Sequence, residues 1–136
     1  MNDREAIFSA LEKLIEAIPG VATFSRRLMH WTDVEADRQP ALYMTASNQN
    51  VTINGYGLPP RLELPVKLYL YNQNRDPAQQ NVLLDAIENA LAPKDEDVLT
   101  LGGLVSHCWI EGEIETDEGL LGDQAVAIIP VSILIP

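Results

Sequence analysis

The chain has 136 residues, of which 46% are hydrophobic and 21% charged, and its formal net charge is −11. That length fits one domain over 1–136, leaves no room for a second of ordinary size, and buries a core without needing a disulfide or a metal. So acidic a balance argues against non-specific nucleic-acid binding and against anionic membrane surfaces, both of which need cationic faces.

In chain order, the first element is a helix. Ile7, Phe8, Leu11, Leu14, Ile15 and Ile18 recur at the spacing of one helical face. Asn2 with Glu5 three residues on suggests a capping arrangement, and Pro19-Gly20 stops the helix. A strand is expected from Val21 to about His30, carrying Arg26 and Arg27, then a polar loop from Trp31 to Gln39. Pro40 opens a strand over Ala41 to Ser47, with Leu42, Met44 and Ala46 on one face. Residues 48–60 contain Asn54-Gly55 and Pro59-Pro60, and read as a mobile arm with a possible hairpin turn at Asn54-Gly55.

Leu62, Leu64, Val66, Leu68 and Leu70 then alternate with polar residues, which is the period of a half-buried strand, interrupted at Pro65. A second helix is expected with Asp76 as N-cap, Pro77 at its first position, Leu83, Leu84, Ile87 and Leu91 on one side, and Pro93 at its end. Leu104 to about Thr116 reads as one strand. It has Leu104, Ser106, Cys108, Ile110 and Ile114 on one face, and Val105, His107, Trp109, Glu111, Glu113 and Glu115 on the other. Asp117 to Gly122 is a turn, and Gln124 to Ile135 is a last strand, apolar on both faces and therefore central or covered. The order is α-β-β-β-α-β-β: an α+β fold, a mainly antiparallel β-sheet with two amphipathic helices on one face.

No catalytic motif is present: no G-x-S-x-G, no phosphate-binding loop and no H-E-x-x-H. His30 and His107 fall on separate elements without a ligand cluster, and Cys108 beside His107 points to the opposite face of its strand, so the two cannot form a thiolate pair. Cys108 is the only cysteine, so no internal disulfide or Cys-rich zinc site exists, and its place among apolar neighbours predicts an inert buried thiol. These readings predict no enzyme, no cofactor and no catalytic, cofactor-binding or metal residues. A small-ligand or metal site built on the acids from Glu111 to Glu118 stays an alternative. The charged N-terminus carries no apolar leader core, and the apolar run from Ala125 to Pro136 is too short to span a bilayer, so a cytoplasmic product with no membrane partner is expected.

The charge is unevenly placed. Residues 1–68 hold eight acids and seven bases, whereas residues 69–136 hold twelve acids and two bases. Nine acids and no base lie between Asp95 and Asp123. Such a run repels itself, so a complementary surface is expected nearby or on a neighbour. The candidate subunit or partner interface is therefore Arg26 and Arg27 on one side, and Glu111, Glu113, Glu115, Asp117 and Glu118 on the other.

Several segments in order carry a resemblance: Gln39-Pro-Ala-Leu42, Leu64-Pro-Val-Lys-Leu-Tyr-Leu-Tyr71, Val82 to Leu91, Thr100 to Glu113, and Gln124-Ala-Val-Ala-Ile-Ile-Pro-Val131. Together with the N-terminal helix they resemble bacteriophage tail terminator (tail completion) proteins over nearly the whole chain. Small neck and head–tail connector proteins share the general look. The resemblance implies a homo-oligomeric ring, usually a hexamer, at the head-proximal end of the virion tail. Such a ring stops polymerisation of the tail tube protein and offers a surface to a head-completion or neck protein. It implies assembly in the host cytoplasm, no sequence-specific nucleic-acid binding, and no catalytic residues to carry over.

Overall fold

A computed structural model of the chain describes residues 3–73, 77–93, 99–117 and 124–135. Helix α1 spans Arg4–Glu16 and buries Ile7, Phe8, Leu11 and Ile15, the face its periodicity dictates. Its cap is Asp3, whose carboxylate accepts the Ala6 amide at 3.0 Å, so the expected Asn2 cap gives way to its neighbour; Asn2 itself lies outside the described residues. Helix α2 spans Pro77–Leu91 and begins at the expected proline, while the expected Asp76 cap lies outside the described residues. Leu83, Ile87 and Leu91 turn its apolar side into the core.

Eight strands form one sheet: β1 Thr23–Ser25, β2 Ala41–Ala46, β3 Asn50–Thr52, β4 Arg61–Glu63, β5 Val66–Gln73, β6 His107–Ile110, β7 Glu115–Asp117 and β8 Gln124–Ile135. All pairings are antiparallel except β1 with β2. The twelve residues of β8, bounded as the sequence predicts, run through the middle. On one side β8 pairs with β5, from Val66↔Val131 to Gln73↔Gln124, and with β4 at Leu62↔Ile135. The register is the same for both, so Pro65 splits the expected single strand without shifting it. The Leu64 amide still donates to the Ile133 carbonyl at 2.9 Å.

On the other side of β8 the expected long strand from Leu104 to Thr116 is broken into β6 and β7. Ile110 pairs with Val131 and Glu115 with Ile128, so the four residues 111–114 lie opposite only two, 129 and 130. The cause is Pro130. Its carbonyl accepts the Glu111 amide at 3.2 Å, so the side on which it lacks an N–H faces this edge, and the ladder cannot continue there. The chain bulges instead, with Gly112 at φ 116°, where a Cβ would meet Pro130 Cγ at 3.2 Å. The start of the expected strand is also replaced: residues 101–106 form turns, with Leu101 and Gly102 at positive φ. Val105 is consequently buried and Leu104 exposed, the reverse of the alternation expected from the sequence. Of the turn expected from Asp117 to Gly122, Asp117 instead closes β7, and the rest lies outside the described residues.

Alternation along β8 assigns the two faces. Ala125, Ala127, Ile129, Val131, Ile133 and Ile135 are buried, and from Ala127 onward they join Leu62, Leu64, Leu68 and Leu70 under α1 and α2 in one core. Residues 126, 128, 130, 132 and 134 face the other way and are half-buried. Both helices thus cover one face, as expected, and the second face is only partly closed.

This division is testable by truncation. Ile129→Ala should cost about 2–5 kcal/mol in chemical denaturation, the range for emptying a packed aliphatic site. Ile128→Ala, one residue along on the half-buried face, should cost clearly less. Equal losses would contradict the assignment of faces.

Candidate functional site

The second sheet face is closed at one end by residues 28–40. The expected polar loop there is two single 3-10 turns, Trp31–Asp33 and Ala36–Arg38. They drape Trp31 and Val34 over Ala41, Tyr43 and Tyr71. The Tyr71 hydroxyl donates to the Met29 carbonyl at 2.7 Å, and burial pushes its pKa up to about 12. Gln39 and Gln124 exchange amide hydrogen bonds at 2.9 and 3.0 Å, and Gln124 also donates to the Asn72 carbonyl at 3.0 Å. The strap is thereby tied to the first residue of β8.

Beyond the strap lies an open cavity of about 270 Å³. Trp31, Val126 and Ile128 make its apolar floor, and Glu115, Thr116 and Asp117 its rim. The acids of the sequence-derived interface therefore fall into two settings. Glu115 and Asp117 stand in β7 beside this cup, while Glu111 and Glu113 are exposed in the bulge. The even alignment of Glu111, Glu113 and Glu115 on one strand face is not formed, because the bulge interrupts it. Glu118 lies outside the described residues. Acidic side chains along an outer strand also discourage unwanted edge-to-edge pairing. On the same face, His107 stacks on Trp109 at 3.7 Å between centroids and 4° between planes, with Nε2 at 3.2 Å from the Ser132 hydroxyl.

At the opposite end of the sheet, residues 48–63 project as a hairpin. Here the expected arm contains a short ladder: Asn50, Val51 and Thr52 pair with Glu63, Leu62 and Arg61. The turn falls at Gly55–Leu58 rather than at Asn54-Gly55. The Leu58 amide donates to the Gly55 carbonyl at 3.2 Å, and Gly57 takes the positive φ of 81° that the third position of a type II turn demands. Val51, Ile53, Tyr56 and Leu58 are all exposed, Tyr56 fully. Exposed apolar side chains gathered on one short arm, rather than scattered singly, are of the kind that marks an interaction site. Their clustering, rather than any motif, was the signal available in the sequence.

Arg26 and Arg27 lie past the end of β1, not on it, because the strand stops at Ser25. The strand expected from Val21 to about His30 therefore does not carry them. Arg26 reaches a carboxylate within its own chain: its guanidinium forms a two-pronged contact with Glu5, lies 3.8 Å from Glu12, and sits 5.6 Å above the Phe8 ring. Hydrogen bonding from Arg26 holds the Glu5 carboxyl below its ordinary value and raises the arginine's own. Arg27 is exposed, and its backbone N–H donates to the Ser25 hydroxyl oxygen at 3.0 Å.

Cys108 is fully buried on the helix side of β6, away from His107 as strand alternation requires, and burial pushes its thiol up to about 12. Such a thiol is neither a nucleophile nor a ready metal ligand at neutral pH. Among the described residues no three of His, Cys, Asp and Glu are grouped to hold a metal ion. No described helix is long and apolar enough to cross a membrane.

No protein-family model matches the chain, and no curated protein matches it. In shape it is similar to a chain of the virion of a native gene transfer agent particle, with a TM-score of 0.55 and 9% identity. The match covers 97% of this chain and 92% of that one. At that identity the likeness is one of fold.

Two outcomes follow from the side-chain environments. Arg26→Glu should lower the melting temperature, most at low salt, whereas Arg27→Glu should leave it unchanged; the exposure of the pair keeps the effect small. Because the Glu5 carboxyl is depressed in the folded state, its contribution is present above the usual carboxylate pKa and is lost as pH falls through the lowered value. The difference between the parent and Arg26→Glu should therefore vanish in acid. Cys108 should resist alkylation by a neutral thiol reagent until the chain is unfolded, a point readable by mass spectrometry.

Proposed function

We propose that this chain is a structural protein of a phage-like virion, and within that class a tail terminator. The observation that carries the reading is the fold likeness to a gene transfer agent virion chain over nearly the full length of both. The surfaces support it. The chain carries an apolar arm at one end of its sheet and an acid-rimmed apolar cup at the other. Unlike surfaces at opposite ends suit head-to-tail contacts, which close into a ring when the rotation between neighbours allows.

In this reading the protein is a homo-oligomeric ring, a hexamer in its simplest form, at the head-proximal end of the tail tube. One ring face stops addition of tail tube protein, and the other receives the head-completion or neck protein. The net charge of −11 would repel DNA from any surface lining the passage. The chain supplies no catalysis and needs no cofactor; it works by what it binds. A neck or head–tail connector protein is the alternative within the class, since the likeness is to a chain of a whole virion.

Native mass spectrometry and negative-stain imaging of the purified protein, alone and with tail tube protein, test this. The expected result is a closed ring with a central hole that caps tube ends. A monomer at every concentration, in the presence and absence of tube protein, would contradict it. Rings that bind head components and ignore tube ends would favour the connector.

A further inference from the structure

Resting on the self-assembling reading above, the arm and the cup can be assigned to each other. Along β8, the arm joins at Ile135 and the cup opens at Val126, nine residues apart. At about 3.3 Å per strand residue, this is about 30 Å, and the arm projects further still from that end. An arm cannot reach the cup of its own chain.

The two surfaces match in kind. The cup has an apolar floor and a rim bearing Glu115, and at about 270 Å³ it is smaller than ordinary ligand pockets and suits one large side chain. The arm offers Tyr56, fully exposed at its turn, with a ring to bury and a hydroxyl to leave at the wet rim. Across residues 48–63 the arm carries two charged residues, Arg61 and Glu63, and the one nearer Tyr56 in sequence, Arg61, is positive. Arg61 lies five positions after Tyr56, at most about 17 Å away in extended chain. The acidic edge runs back from the cup through Glu113 to Glu111. An arm seated by Tyr56 therefore lays Arg61 along carboxylates.

We propose that Tyr56 of one copy seats in the Trp31–Val126–Ile128 cup of the next, with Arg61 lying along that copy's acidic β6–β7 edge. Each contact uses one surface from each copy, so it repeats around an assembly. The apolar cup gives the affinity, while the carboxylates set direction and salt sensitivity. This assigns a recipient to the fully exposed Tyr56 of the arm and a counter-charge to the acidic edge.

The test is directed cross-linking between two separately purified variants. Tyr56→Cys places a thiol on the arm, and Glu115→Cys places one on the rim of the cup, on the same face as its partner Ile128; both sites are solvent-facing, so both variants should fold. The buried Cys108 should take no part. Mixing the two under mild oxidation should give a disulfide between residues 56 and 115 of different chains, identified in peptide digests. Adding Arg61→Glu to the arm partner should suppress its yield, and Arg61→Glu with Glu113→Arg on the other partner should restore it. In the otherwise native chain, Tyr56→Ala should weaken self-association about tenfold or more, as loss of a buried interface aromatic does. If the native chain assembles but no 56–115 disulfide forms, and Tyr56→Ala assembles like the parent, the arm–cup contact is wrong while the assembly reading stands. If the native chain never self-associates, the assembly reading falls and takes this contact with it. Cross-linking of residue 56 only to added tube protein would give the arm a different recipient and overturn the proposal.

Discussion

A single strand holds this fold together. Every pairing in the sheet except those of β1 with β2, β2 with β5 and β3 with β4 is made to β8, and its odd-numbered residues supply the floor on which both helices pack. Its continuity from Gln124 to Ile135 fixes one common register for β4 and β5, which lets the β-hairpin arm rise straight out of the sheet. Its one irregularity, Pro130, has consequences only where its missing donor faces, on the β6–β7 side. The bulge there displaces Glu111 and Glu113 from the ladder and leaves Glu115 and Asp117 beside the cup. One proline thus arranges the acidic edge.

The two ends of the sheet are differentiated by what closes them. At the Gln124 end, the strap of residues 28–40 is tied down by the Gln39–Gln124 amide pair and by the Tyr71 hydroxyl, and it buries Val34 while leaving a cup beside Trp31. At the Ile135 end nothing described covers the arm, whose apolar side chains face solvent. An isolated two-stranded hairpin with exposed apolar groups gains little from folding. The arm contributes to function what it does not contribute to the core.

Much of this was legible in the sequence, and the reasons for the misses are physical. Helix α1, helix α2 and β8 were legible because their apolar periodicity is long and uninterrupted. The burial of Cys108 and its separation from His107 followed from strand alternation alone. The bounds of β6 and β7 were not legible, because the cause sits twenty residues away in Pro130 and acts only through pairing. The brevity of β1 was hidden as well: Val21 to His30 has no breaker, yet the strand stops at Ser25, and Arg26 just beyond it turns its guanidinium to Glu5 and Phe8 on α1. The candidate interface acids were visible as a charge run. Their apolar companion surface was not, since Trp31, Val126 and Ile128 come together only through the strap.

The account holds that β8 anchors a fold complete in itself while the arm stays in reserve for a partner. Hydrogen exchange read by mass spectrometry, on the free chain and on the assembled protein, tests this most directly. The β8 amides should be the slowest to exchange in both. Amides of residues 50–58 should exchange rapidly in the free chain and slow strongly on assembly. Arm amides as protected as those of β8 in the free chain, or unchanged by assembly, would contradict the account.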